Sequence, residues 1–164
     1  MYTAETQKVR TVLEQVNDPE IPVLSVVDLG IVRDVIVNPE LVRVVITPTY
    51  NGCPAMDMIA VNIKAALQES GYPNVKVELV WQPAWTTDMI SEIGRKKLSA
   101  YGIAPPENES GDKLALFGDT VQVPCPRCSS KNTELISQFG STACKAMYRC
   151  LDCKEPFDYF KCHR

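Results

Sequence analysis

A chain of 164 residues has room for one ordinary domain, or for a small domain with a minidomain appended. Its 45% hydrophobic and 23% charged content is that of a globular protein, and no run approaches the roughly 18 apolar residues needed to cross a bilayer. A formal charge of −3 argues against general nucleic-acid binding, and the polar stretch Met1 to Arg10 lacks a signal peptide's apolar core, so a cytoplasmic location is expected.

Residues 4–16 read as an amphipathic helix, with Val9, Val12, Leu13 and Val16 on one face. Asn17-Asp18-Pro19 ends it, because proline cannot continue a helix and disfavours helix in the residue before it. Asp18-Pro19-Glu20-Ile21-Pro22 is then a rigid turn carrying two carboxylates, followed by Asp28-Leu29-Gly30. Asp and Pro are ordinary turn formers, so turn chemistry is the first reading of these carboxylates. The sharper one has them lining a cleft with Cys53.

Ile31 to Val37 and Leu41 to Ile46 are rich in β-branched residues and flank the turn signal Asn38-Pro39-Glu40, which predicts a β-hairpin. The second strand runs into Thr47-Pro-Thr-Tyr-Asn-Gly-Cys53-Pro54. Proline favours the first helical position, which would make Cys53 the N-cap of the next helix. Free N–H groups and the positive dipole end there lower a thiol pKa and favour the thiolate. Asp57 in the first turns works against that. The bland alternative is a small buried apolar residue, as free cysteine often is.

The helix covers roughly Pro54 to Ser70, with Ile59, Ile63, Ala66 and Leu67 inward and Gly71 just past its end. Val75, Val77, Leu79 and Trp81 alternate as a third strand, and strand–helix–strand of this length implies a parallel pair. After Pro83-Ala84-Trp85, Thr86 or Thr87 caps a last helix with Asp88 in its first turn, ending near Tyr101 and Gly102. Trp85 is read as a core plug or staple before that helix.

The stretch from Pro105 is polar and holds Pro and Gly, which suits a linker. The expected organisation is a first domain at 1–104, a linker at 105–113 and a cysteine-rich domain at 114–164. Charge shifts across it. Residues 1–120 carry 10 basic and 16 acidic residues, and residues 121–164 carry 7 and 4. The basic excess in the tail offsets metal-bound thiolates or meets phosphate.

Seven cysteines in a chain expected in the cytosol favour metal or redox chemistry over disulfides. Cys125-Pro-Arg-Cys128 and Cys150-Leu-Asp-Cys153 are two knuckles separated by 21 residues, just beyond the usual zinc spacing. Two knuckles make a tetrahedral thiolate cage, and Thr133 to Phe139 and Ala143 to Arg149, joined at Gly140-Ser141, supply the strands of a zinc ribbon. A minidomain this small draws much of its folding free energy from the metal. The expected ion is structural zinc, with iron as the alternative. Cys144 shares strand parity with Cys150, and Cys144 and Cys162 are candidates for an extra metal or thiol site. His163 is terminal.

The fold class that emerges is α+β, a small three-stranded sheet packed with helices plus a C-terminal zinc-ribbon-like β minidomain. A di-iron oxygenase would need Glu-x-x-His pairs, and a Cys53 hydrolase would need a histidine base. The single histidine supplies neither. The remaining readings are a metal-centre maturation factor, a ribbon that binds nucleic acid, and a purely structural protein-interaction module.

Asp18-Pro19-Glu20, Asp28-Leu29-Gly30, Thr49 through Cys53-Pro54 and Pro83-Ala84-Trp85 together resemble the small metal–sulfur cluster assembly family, whose members act in iron–sulfur protein maturation. In the tail, Phe139-Gly-Ser-Thr-Ala-Cys144-Lys-Ala, Tyr148-Arg-Cys150 and Glu155-Pro-Phe-Asp-Tyr-Phe-Lys-Cys162 are similar to the phenylacetate-degradation D branch of that family. The resemblance covers nearly the whole chain and departs at Met89, where Trp is usual. It implies an accessory subunit of the phenylacetyl-CoA epoxidase system, without oxygenation chemistry of its own. Cys53 would be the reactive or cluster-transfer thiol, transiently holding iron or an iron–sulfur cluster, with Asp18, Glu20 and Thr49 shaping its loop. Implied partners are the epoxidase oxygenase or reductase subunits and iron–sulfur assembly proteins; no membrane partner is expected, and nucleic acid stays the weaker alternative.

Overall fold

The computed structural model describes residues 3–106 and 122–161. The chain divides into two compact units between Trp85 and Thr86.

In the first unit, α1 spans Ala4–Leu13 and is capped by the Thr3 hydroxyl, which accepts the Thr6 N–H at 3.2 Å. It stops short of the expected residue 16, because Gln15 and Val16 bond three residues back rather than four. Val16 stays buried all the same. The chain then doubles back, with Val26 N–H donating to the Val16 carbonyl and Asp18 N–H to the Leu24 carbonyl.

Strands β1 (Val32–Val37) and β2 (Val42–Ile46) form the expected antiparallel hairpin. Helix α2 (Ala55–Glu69) follows, and β3 (Val75–Leu79) pairs parallel to β2, giving the order β1-β2-β3. Trp81 lies beyond β3 and is largely exposed. Val42, Val44 and Ile46 alternate inward, while Arg43 on the outward register pairs with Glu78 at 3.5 Å. Leu13 and Val9 from α1 and Ile59, Ile63 and Leu67 from α2 complete the core. Gly71, at φ +96, turns the chain out of α2 in a conformation that side chains rarely adopt.

The second unit opens with a 3-10 turn at Thr87–Met89, followed by α3 at Glu92–Tyr101. The expected cap at Thr86 or Thr87 is corrected. Ser91 caps α3, its hydroxyl accepting the Gly94 N–H at 2.9 Å. Thr87 is instead buried, and Asp88 sits in the separate short turn. Gly102, at φ +94, closes α3 as expected.

Four strands then form one sheet in the order β4-β7-β6-β5, with β4 Ile103–Ala104, β5 Thr133–Ser137, β6 Lys145–Cys150 and β7 Pro156–Phe160. The β5–β6 hairpin matches the expected ribbon strands with trimmed ends. β7 adds an antiparallel third strand, and β4 pairs parallel to it through Asp158 and Tyr159. Helix α3 and strand β4 fall in the second unit with the ribbon strands. Val123, Cys125, Ala146, Tyr148, Cys150, Phe157 and Tyr159 make its core, and Tyr148 stacks on Phe157 at 5.9 Å. No helix among the described residues is long and apolar enough to cross a membrane.

Candidate functional site

Two thiol sites stand apart in sequence, one in each unit. The first lies where β2 gives way to α2. Thr47 N–H donates to the Ile31 carbonyl, and the chain then turns through Gly52 at φ +81. Cys53 N–H donates to the Tyr50 carbonyl at 3.3 Å, and the Cys53 carbonyl accepts the Met56 N–H at 3.4 Å. Pro54 occupies the cap itself, so Cys53 sits one residue ahead of the expected place. The displacement keeps the sulfur within reach of the helix start. The Ala55 N–H donates to it, and so does the Thr49 side chain.

Cys53 is half-buried, and its thiol is pushed above the ordinary value. Burial is the largest cause, and the carboxylates of Glu20 and Asp18 add to it against the Ala55 and Thr49 hydrogen bonds. The expectation of a lowered pKa is therefore corrected: the Ala55 N–H at the helix start and the Thr49 side chain do not outweigh desolvation and two anions. The opposing charge comes from the Asp18-Pro-Glu20 turn and not from Asp57, which is exposed on the first turn of α2.

The Asp18-Pro-Glu20 carboxylates have a turn role and an electrostatic one. Asp18 Oδ1 accepts the backbone N–H groups of Glu20 at 2.7 Å and Ile21 at 2.9 Å, which is turn chemistry. Asp18 and Glu20 also act on the Cys53 sulfur, so the turn and the thiol share one locality. Asp28 caps a different turn, exchanging hydrogen bonds with Ser25. Trp85 is a core plug, its indole N–H held by the Leu29 carbonyl.

The second site is the cysteine cage. The sulfurs of Cys125, Cys128, Cys150 and Cys153 all lie within 4.8 Å of one another. Thiolates at about 2.3 Å around a tetrahedral ion have sulfur–sulfur edges of about 3.8 Å. Cys125 to Cys153 measures 3.7 Å and Cys128 to Cys150 measures 3.6 Å, so the cage already has the dimensions a metal needs. Each knuckle turns out through a left-handed residue, Ser129 at φ 62 and Lys154 at φ 65. Cys150 is drawn down to about 7 by the Cys153 backbone N–H, against burial, with the Asp152 N–H and the Cys128 thiol assisting.

Cys144 lies outside the cage. It is buried just before β6, its sulfur 3.0 Å from the Thr142 hydroxyl. Cys162 and His163 fall outside the described residues. An open cavity of about 410 Å³ in the second unit, lined by Tyr101, Lys145, Met147 and Asp158 among others, includes neither Cys53 nor the knuckles. Sequence reasoning missed Ser130, Asn132 and Asp152, which join the knuckles. Their signal was the run of turn-forming residues in and just after each C-x-x-C pair.

The chain matches two separate family descriptions. Residues 6–79 match the iron-sulfur cluster assembly protein model, and residues 109–161 match the PaaD zinc beta ribbon domain model. Over 158 residues the chain is 47% identical to the putative D subunit of the 1,2-phenylacetyl-CoA epoxidase of Escherichia coli, covering 96% of this chain and 93% of that one. The chain belongs to the family of that epoxidase subunit. A relative that matches less of it is the Fe-S protein maturation auxiliary factor YitW of Bacillus subtilis. That factor is 37% identical over 99 residues, covering 58% of this chain and 94% of its own. A crystal structure of a domain of unknown function from Bacillus anthracis aligns with a TM-score of 0.52 at 30% identity, covering 56% of this chain and 89% of that one. The α+β class with a ribbon holds for this member of the family, and its four cysteines converge as the ligands of a zinc ribbon do, in an arrangement that could hold a metal ion.

Proposed function

We propose that this protein is an accessory factor of the phenylacetyl-CoA epoxidase system in aerobic phenylacetate degradation, and that it matures or inserts an iron–sulfur or iron centre of that system. The observation that carries this reading is the Cys53 thiol held with Thr49, Asp18 and Glu20 in the unit that matches the cluster-assembly model. The names of the relatives, an epoxidase subunit and iron–sulfur maturation factors, support the same role.

Cys53 rests as a protonated thiol, because burial and two carboxylates disfavour its anion. Iron or a cluster is cargo here. An arriving cation offsets the field of Asp18 and Glu20, the thiol gives up its proton, and a sulfur–iron bond forms. Return of a proton releases the cargo. Such a site binds transiently, as transfer requires. The ribbon holds structural zinc and docks the chain to an oxygenase or reductase subunit or to an assembly protein.

The test is iron and sulfide analysis of the epoxidase oxygenase and reductase subunits produced with the wild-type protein or with Cys53→Ala. Lower metal content and lower epoxidase activity with the variant are expected, with the variant itself still folded. Full loading would overturn the role of Cys53.

A further inference from the structure

The two knuckles are tied together by groups that are not among the converging ligands. Asp152 lies inside the second knuckle, and Ser130 and Asn132 follow the first. Asp152 Oδ2 accepts the Ser130 hydroxyl at 2.5 Å, and Oδ1 accepts the Asn132 side-chain amide at 2.8 Å. Asn132 N–H closes the ring by donating to Ser130 Oγ at 3.0 Å. Two backbone bonds reinforce it, Cys125 N–H to the Ser130 carbonyl at 2.9 Å and Leu151 N–H to the Asn132 carbonyl at 2.8 Å.

We propose that Ser130, Asn132 and Asp152 form a brace that sets the spacing between the knuckles and so holds the four sulfurs ready for a metal. A C-x-x-C turn orders its own two thiols, but the gap between two such turns must be fixed by something else. Register in the sheet fixes one side, where Thr133 pairs with Cys150. Cys128 and Cys153 lie beyond the strand ends, both exposed, and there the brace is the side-chain link between the turns. Groups outside the ligand set that orient ligands change metal affinity by about 10- to 100-fold when removed.

Charge alone predicts the opposite sign. Four thiolates on a divalent ion already carry a net negative charge, and one more anion beside them opposes thiolate formation. If Asp152 acted only through its charge, removing it would tighten metal binding. If it acts as a brace, removing it loosens binding, and removing the uncharged Ser130 hydroxyl does the same.

The experiment rests on the four cysteines binding metal, and it uses the full chain, reduced, with zinc competed against a chromophoric chelator. Ser130→Ala and Asp152→Ala are each expected to weaken zinc binding about tenfold, and the double variant little more than either, since the two act as one unit. Cobalt in each variant should keep the tetrahedral four-thiolate spectrum, and Lys131→Ala should bind zinc like the wild type. Wild-type affinity in Ser130→Ala, tighter binding in Asp152→Ala, or a double variant equal to the combined single losses would overturn the brace. Where a variant does not fold before loading, zinc release from loaded protein decides instead: about tenfold faster release supports the brace and an unchanged rate overturns it. A wild-type protein that binds neither zinc nor cobalt would overturn the metal reading as well.

Discussion

The indole N–H of Trp85 donates to the backbone carbonyl of Leu29 at 2.9 Å, bridging 56 positions of the chain. Trp85 is only 3% exposed, so the bond is shielded from water. It joins two segments far apart in sequence, Asp28-Leu29-Gly30 and Pro83-Ala84-Trp85. Trp85→Phe keeps most of the ring but leaves the carbonyl without its donor, which should cost about 1–3 kcal/mol. Trp85→Ala should cost more, about 3–5 kcal/mol, through the cavity. Urea unfolding should show lower midpoints with an unchanged slope for Trp85→Phe.

The raised Cys53 pKa gives a signed prediction. Glu20 disfavours the thiolate, so Glu20→Gln should lower the thiol pKa and speed Cys53 alkylation by iodoacetamide at pH 8. Thr49→Val removes a donor to the sulfur and should slow it. Peptide-resolved mass spectrometry separates Cys53 from the other thiols. Slower alkylation in Glu20→Gln would contradict the electrostatic account.

The cap of α3 is equally testable. Ser91→Ala should destabilise the protein by about 1 kcal/mol, because the Gly94 N–H loses its acceptor. Thr86→Ala, at one of the two positions the sequence offered, should stay within about 0.5 kcal/mol. Chemical denaturation of the two variants side by side ranks the caps.

Metal removal should act on the ribbon first. Tyr148, Phe157 and Tyr159 pack in the same cluster as Cys125 and Cys150. A strong chelator under reducing conditions, or Cys150→Ser, should flatten the near-ultraviolet circular dichroism of these rings, as metal binding is folding free energy in so small a unit. The fluorescence of buried Trp85 reports the first unit and should change far less.

The regular elements were legible where periodicity was strong. The α2 stripe holds at Ile59, Ile63 and Leu67, with Ala66 half-buried at its margin, whereas the alternation read through β3 does not reach the core at its end, since Leu79 and Trp81 are exposed. The α3 cap was not, because Thr86, Thr87 and Ser91 all have capping side chains, and burial of Thr87 decided among them. Strand β7 escaped notice although Phe157 and Tyr159 alternate, since Pro156 opens it and a knuckle precedes it. Cys53 shows the deeper limit. Its helix-start setting was readable from Pro54, but its pKa is raised chiefly by burial, and further by Glu20 and Asp18, more than thirty positions earlier in the chain.

The parallel pairing of Ile103–Ala104 with Asp158–Tyr159 bears on how the protein can be cut. A fragment beginning at 105 would leave that border of β7 bare, and bare borders invite pairing with neighbouring molecules. A fragment beginning at Thr86 keeps the border covered and should stay monodisperse on a sizing column when the shorter one clumps.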